Sequence, residues 1–277
     1  MIIDGRKIAR EILDQLKTEV ASLDFKPKLI DVFVGSDPVI ESYVNIKAKR
    51  AFETGIDFEI KKYPQDVLEE TLVADIKKMN SVENICGLIV QLPLPKHLDK
   101  QAVMNAINPD IDVDMITSVS LGELFTGQQK IMPATASAIL RMLQELNIDL
   151  RGKHVLVVGA GDLVGKPVTF LLMQTGATVT VANQSTQDLS SLCLSADIII
   201  SGTGVPGLIK PSMVRAESIV IDAGTAESNS GISGDVDFEG IKDKVFAVSP
   251  VPGGVGPVTV AMLLSNVVAV AKRRTAN

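Results

Sequence analysis

Short apolar runs recur along this chain, each separated from the next by a stretch of helical periodicity. They are Leu29–Gly35, Gly87–Pro93, His154–Gly161, Ala177–Asn183, Ala196–Gly204, Ser218–Thr225 and Lys244–Val251. A strand that is apolar throughout, rather than at alternate positions, is covered on both faces. Parallel strands under crossover helices have that environment. The intervening segments read as helices around Glu41–Gly55, Leu68–Met79, Ile131–Leu146 and Val258–Lys272. An N-terminal helix carries Ile8, Ile12, Leu13 and Leu16 on one face. The fold class is therefore α/β, with parallel-type sheets.

At 277 residues the chain has room for one large or two modest domains. The break falls near Met132–Ala136, where a long helix leads into "DLRGKHVLVVGAG", the usual opening of a nucleotide-binding unit. The expected division is 1–133, completed by a C-terminal helix over 257–277, and 134–256 as a Rossmann-like domain. With 46% hydrophobic residues the chain is no disordered polymer. A net charge of −6 and no basic tract beyond Lys272–Arg274 argue against nucleic acid. Cys86 and Cys193 sit in apolar surroundings and read as reduced core residues, fitting a cytoplasmic protein. Two histidines and no Cys/His cluster leave no basis for a zinc site, and no metal is expected. The start is too charged for a signal peptide, and no uncharged apolar run is expected to reach membrane-spanning length.

In "VLVVGAGDLVGKP" a strand runs into Gly159, Ala160, Gly161, Val164, Gly165 and Lys166, and a helix follows. The spacing GxGxxxG is one residue longer than the dinucleotide fingerprint, but the physics is the same. One glycine allows the turn, the next lets a pyrophosphate near the backbone, and the helix N-terminus supplies amide hydrogens. A tight turn of any α/β protein is the alternative. The next strand ends in "ANQST", where Ser185 and Thr186 offer hydroxyls. Neither the acid that reads an NAD ribose nor the arginine that reads an NADP phosphate is present.

The first domain places three polar features beyond strand ends. Tyr43 and Lys47 are spaced i,i+4 and share a helix face. A lysine shielded beside a tyrosine can shuttle protons, or it can be an ordinary surface lysine. Gln91 ends "GLIVQ" and is a ligand contact or a capping amide. Asp112 and Asp114 lie in "NPDIDVDM", as turn, helix cap or a DxD metal pair. His97 and His154 read as structural or exposed. Finally, Pro250–Pro257 packs three prolines and three glycines just before the last helix, a rigid, side-chain-poor loop suited to close ligand approach.

Together, "VGSDP", "SYVNIKAK", "GLIVQLPLP", "DIDVD", "VVGAGDLVGKP", "ADIIISGTGVPG", "GDVDFEGI" and "SPVPGGVGPVTVAML" resemble the bifunctional methylenetetrahydrofolate dehydrogenase/cyclohydrolase family, the FolD type, in order and over almost the whole chain. The resemblance implies oxidation of 5,10-methylenetetrahydrofolate with NADP (NAD remaining open) and hydrolysis of the methenyl product to 10-formyltetrahydrofolate, within one-carbon metabolism. It implies Lys47 as the catalytic lysine, Tyr43 on the folate, Gln91 supporting the lysine and Asp114 on the pterin-like ring. Val90, Leu92 and the segment Pro252, Gly253, Gly254, Val255, Gly256, Pro257 and Thr259 would also contact substrate. Gly202, Gly204 and Thr225 would join the glycine loop, Ser185 and Thr186 around the cofactor. The family is usually a homodimer formed through its second domain. The chain departs from the family pattern at Ile40, at Met115, at Pro133–Ala136, at Gly161 and in "ANQST". Ile40 and the missing arginine keep a dehydrogenase without hydrolase activity as an alternative reading, and a folate- or nucleotide-binding homologue as another.

Overall fold

The computed structural model describes residues 1–228 and 231–275, which divide into two compact units. One comprises Arg10–Ala134 and the chain from Val260 onward; the other comprises Met1–Ala9 and Thr135–Thr259. They are called here the lysine unit and the glycine-loop unit.

The chain enters through α1 (Gly5–Ala21), which begins in the glycine-loop unit and continues into the lysine unit. In the lysine unit β1 (Lys28–Val34), α2 (Pro38–Thr54), β2 (Asp57–Tyr63), α3 (Glu69–Met79) and β3 (Ile85–Val90) form a parallel sheet of order β2-β1-β3. The chain leaves β1 to one side and returns to the other. The crevice beyond the carboxyl ends of β1 and β3 is thus a topological switch point, where open α/β sheets bind ligands. Helices α4 (Lys100–Met104) and α5 (Ser118–Thr126) follow. Apart from Asp31 and Lys28, β1 is apolar, and β3 is buried throughout. The edge strand β2 is an element the sequence reading missed. Its "DFEIKKY" puts charged residues on a half-exposed surface and lacks the continuous apolar signal of its neighbours.

In the glycine-loop unit α6 (Ala134–Gln144) leads to β4 (His154–Val158), α7 (Gly165–Gln174), β5 (Thr178–Ala182), α8 (Leu189–Ser195), β6 (Ile198–Ser201) and β7 (Ile219–Asp222). An antiparallel pair, β8 (Ala226–Ser228) with β9 (Gly231–Ser233), precedes α9 (Phe238–Ile241) and β10 (Ala247–Val248). The sheet order is β10-β7-β6-β4-β5, all parallel, so a second switch point lies between β4 and β6. The run Lys244–Val251 contributes only the two residues of β10. The N-terminal segment extends that edge, with Ile3 N donating to Val248 O at 2.9 Å.

The last helix, α10 (Val255–Thr275), starts earlier than its apolar periodicity suggests. Val255, Gly256 and Pro257 form its first turn, so the glycine-proline loop ends at Gly254. By length and composition α10 could cross a bilayer, with a mean hydropathy of 1.6 over its most apolar window, contrary to the expectation that no run would. The window is 61% buried, and Leu263, Leu264, Val267, Val268 and Ala271 pack into the β1–β3 core. Apolar composition here is that of a core helix.

Candidate active site

The lysine unit gathers its predicted polar residues at the switch point. Tyr43 and Lys47 are one turn apart on α2, and the Lys47 ammonium lies 6.0 Å from the Tyr43 ring centroid. Lys47 is 4% exposed, which removes the surface-lysine reading. Its Nζ lies 2.8 Å from Asp31 Oδ2 in the middle of β1, and Asp31 is wholly buried. Gln91, the first residue beyond β3, donates from Nε2 to the other oxygen, Asp31 Oδ1, at 2.7 Å. Its backbone N donates to Val32 O, which anchors it to β1. Gln91 therefore reaches Lys47 through Asp31, a residue not singled out from the sequence. Its signal was one charged residue inside an otherwise apolar run.

Asp114 sits in the same electrostatic field. Burial pushes its carboxyl up to about 6; the Lys47 ammonium opposes the rise, and Asp112 and Asp31 add to it. Burial also pushes the Tyr43 hydroxyl up to about 12, with the Asp114 charge contributing. Burial raises Asp31 too, against the pull of Lys47 and Gln91. Asp112 plays a different part. Buried, it accepts from Ile116 N at 3.2 Å and Thr117 N at 2.8 Å, a turn role rather than half of a metal pair. No group of three or more metal-ligating side chains occurs among the described residues. Met115 takes φ +56°, a left-handed backbone that favours glycine, while its side chain is 2% exposed. Asn266 of α10 fixes the intervening backbone, donating to Val113 O at 2.8 Å and Met132 O at 2.7 Å. Nothing in the apolar pattern of α10 marks that role. Val90, by contrast, is 3% exposed in the core cluster, so its side chain packs rather than faces a ligand. Leu92 is half-buried beside a cis Leu92–Pro93 bond.

The glycine-loop unit shows why each glycine is there. Gly159 takes φ +106°, and a Cβ on it would lie 2.6 Å from Gly202 O. A Cβ on Gly165 would lie 1.9 Å from Gly159 O, and one on Gly202 would press on Val164 at 2.8 Å. These three glycines are required by the chain itself, where β4, β6 and α7 meet. A Cβ on Gly161 would meet nothing within 4 Å, so the loop is open at that residue. Val164, at the N-cap of α7, provides no side-chain cap. An open loop ahead of an uncapped ten-residue helix fits a pyrophosphate, which would lie against Gly161 and the first turn of α7. Lys166 is ion-paired with Asp162 at 2.7 Å, so it adds no unbalanced positive charge there. At the end of β5, Asn183 N donates to Thr186 Oγ1 and Ser185 N to Asn183 Oδ1, leaving Ser185 exposed on a tight turn.

Two interlocked carboxylates, missed from the sequence, hold the neighbouring loops. Asp222, ending β7, accepts from Gly224 N, Asp235 N and Val236 N at 2.9–3.1 Å. Asp235 accepts from Ser201 Oγ at 2.7 Å and Thr203 N at 2.6 Å. Burial raises Asp222 to about 6 despite the three amide donors. This clamp fixes the segments carrying Gly202, Gly204 and Thr225, and Gly204 (φ +72°) has its Cβ direction 3.6 Å from Thr225 O.

The glycine-proline segment is also accounted for in part by its own chain. A Cβ on Gly254 would lie 2.4 Å from Pro250 O, and one on Gly5 of α1 would lie 1.9 Å from Gly254 O. Gly253 takes φ +110°, so a side chain there strains the turn regardless of any ligand. Val255 is 4% exposed, whereas Pro252 is exposed and Gly256, Pro257 and Thr259 are half-buried. His154 bonds Thr180 Oγ1 and Ser195 O, and His97 bonds Val67 O. Cys86 and Cys193 are free and buried.

Comparison with known proteins agrees with this division of labour. Residues 3–114 match the tetrahydrofolate dehydrogenase/cyclohydrolase catalytic domain, and residues 133–275 match the NAD(P)-binding domain of the same family. A bifunctional protein FolD from Hydrogenobaculum sp. is 43% identical over 275 residues, covering 99% of both chains. The crystal structure of the Campylobacter jejuni bifunctional methylenetetrahydrofolate dehydrogenase/cyclohydrolase superposes with a TM-score of 0.96 at 36% identity, covering 99% of each chain. The Trypanosoma brucei enzyme, solved with NADP and an inhibitor, gives a TM-score of 0.96 at 35% identity, covering 100% of this chain and 99% of that one. With both halves matched and relatives aligned from end to end, the chain belongs to the tetrahydrofolate dehydrogenase/cyclohydrolase family.

Proposed function

We infer that the chain runs both reactions of its family on one folate. It oxidises 5,10-methylenetetrahydrofolate to the methenyl cation and hydrolyses that cation to 10-formyltetrahydrofolate. The observation that carries this reading is the buried Lys47, held 2.8 Å from Asp31 beside Tyr43 and Asp114 at a sheet switch point. When bound, the nicotinamide cofactor supplies the hydride acceptor for the first reaction. In the second, water adds to the methenyl carbon. Lys47 moves the proton that the water gives up, and the ring C–N bond opens as its nitrogen is protonated. Asp114 accepts hydrogen bonds from the N–H edge of the pterin ring, and Tyr43 lies against the folate. Gln91 supports Lys47. Pro252–Thr259 adds backbone contacts to the ligands.

NADP is the cofactor we assign, with NAD as the competitor. The relative solved with NADP supports it, as does the lack of an acidic residue at the end of β5. The same family resemblance supports a cytoplasmic homodimer assembled through the NAD(P)-binding domain. Lys47→Met tests the reading. Hydrolysis of methenyltetrahydrofolate is expected to fall by about 10²-fold or more, the contribution of a positioned acid–base group. Cooperative unfolding is expected to be retained. Hydrolysis at the wild-type rate would overturn the role.

A further inference from the structure

We propose that Asp31 is a positioning residue for the hydrolytic reaction: its two carboxylate oxygens hold the Lys47 ammonium and the Gln91 amide in one fixed arrangement. The inference rests on the role just given to Lys47. Three observations carry it. Asp31 is wholly buried in the central strand of its sheet, where a charge is costly unless paired. Its two oxygens are divided between two different side chains, Lys47 at 2.8 Å and Gln91 at 2.7 Å. Both side chains come from elements flanking the switch point, α2 and the end of β3.

Stability does not account for such a pair. A buried ion pair can commonly be replaced by apolar residues of similar volume without loss, because desolvation offsets the attraction. A lysine on a four-carbon stem, however, is poorly defined until its ammonium is held. Asp31 supplies that constraint from below, and it orients the Gln91 amide by the same carboxylate. Hydride transfer from the folate requires no proton to be moved by Lys47. Loss of the Asp31 charge is therefore felt in hydrolysis more than in oxidation.

The test reads the two activities separately in Asp31→Asn, Asp31→Glu and Lys47→Met, alongside thermal unfolding. Asp31→Asn keeps the shape and removes the charge. The hydrolysis-to-oxidation rate ratio should fall by about tenfold or more, with the KM for folate within about threefold of wild type. Asp31→Glu restores the charge one methylene out of place, and its ratio should lie between those of wild type and Asp31→Asn. Equal losses in both reactions, or an unchanged ratio, would mean a structural pair and overturn the proposal. Should Asp31→Asn not fold, Asp31→Glu decides alone: a lowered ratio supports the placement and a wild-type ratio overturns it. Lys47→Met separates the two levels of inference. If it loses hydrolysis while Asp31→Asn does not, only the Asp31 proposal fails; if it keeps hydrolysis, the Lys47 reading fails and the Asp31 proposal with it.

Discussion

Asp114 carries a pH signature that can be read in stability. Its carboxyl is raised from 3.8 to about 6 by burial, so the folded chain holds that proton more tightly than the unfolded chain. As pH rises from about 4 to 6 the unfolded state ionises first, and the folded state loses relative stability; above 6 the loss is complete. At about 1.4 kcal/mol per unit, the upper bound is roughly 3 kcal/mol. Asp114→Asn removes the effect. Denaturant unfolding of wild type and variant should show a stability difference that moves against wild type between pH 4 and 6 and then levels. A difference flat across that window would mean the carboxyl is not buried as described. At this scale the sequence was informative about the residues proposed for the substrate and silent about those beneath them. Tyr43, Lys47, Gln91 and Asp114 follow from spacing and family resemblance. Asp31, Asn266, Asp222 and Asp235 act through partners far away in sequence, and no local pattern announces a partner sixty residues away, as Gln91 is to Asp31. Met115 shows the converse. Its departure from the family's glycine was visible, and the structure shows its cost, a left-handed backbone kept by a side chain buried to 2% exposure.

Among the elements, the turn from β4 into α7 makes the sharpest distinction between glycines needed for the fold and a glycine the fold leaves open. Gly165→Ala would gain about 1 kcal/mol of helix propensity in isolation. Its Cβ, however, would lie 1.9 Å from a backbone oxygen that cannot swing aside. A clash with backbone puts the cost at or above the top of the typical 1–3 kcal/mol for overpacking, so a net loss of about 2 kcal/mol or more is expected. Gly161→Ala places its Cβ in open space and should stay within about 0.5 kcal/mol of wild type. Its effect should instead appear as weaker NADP binding, measured by titration of the folded protein. A neutral Gly165→Ala, or a strongly destabilised Gly161→Ala, would contradict this assignment. Strands buried on both faces were legible as apolar runs, and so were the longer helices α1, α2, α3 and α6; the short α4, α5, α8 and α9 were not. The edge strand β2 was not, because one of its faces meets water. The start of α10 was hidden by Gly256 and Pro257, which read as loop but are tolerated in a helix's first turn.

The molecule as a whole repeats one device. Each unit is built on a parallel sheet whose chain reverses direction across its first strand, the place where open α/β sheets bind ligands. In the lysine unit the reversal gathers Lys47, Asp31 and Gln91 in one bonded cluster. In the glycine-loop unit it gathers glycines and amide donors that suit a dinucleotide. The presence of both, in a chain matched end to end by bifunctional relatives, is why two consecutive reactions are assigned to it. The most direct test supplies purified protein with methylenetetrahydrofolate and either NADP or NAD, following reduced cofactor, methenyl folate and 10-formyl folate separately. The account predicts 10-formyltetrahydrofolate appearing faster than methenyl folate hydrolyses unaided, with NADP the faster cofactor. Reduced cofactor accompanied by methenyl folate, hydrolysed no faster than in buffer, would contradict it and leave a dehydrogenase alone.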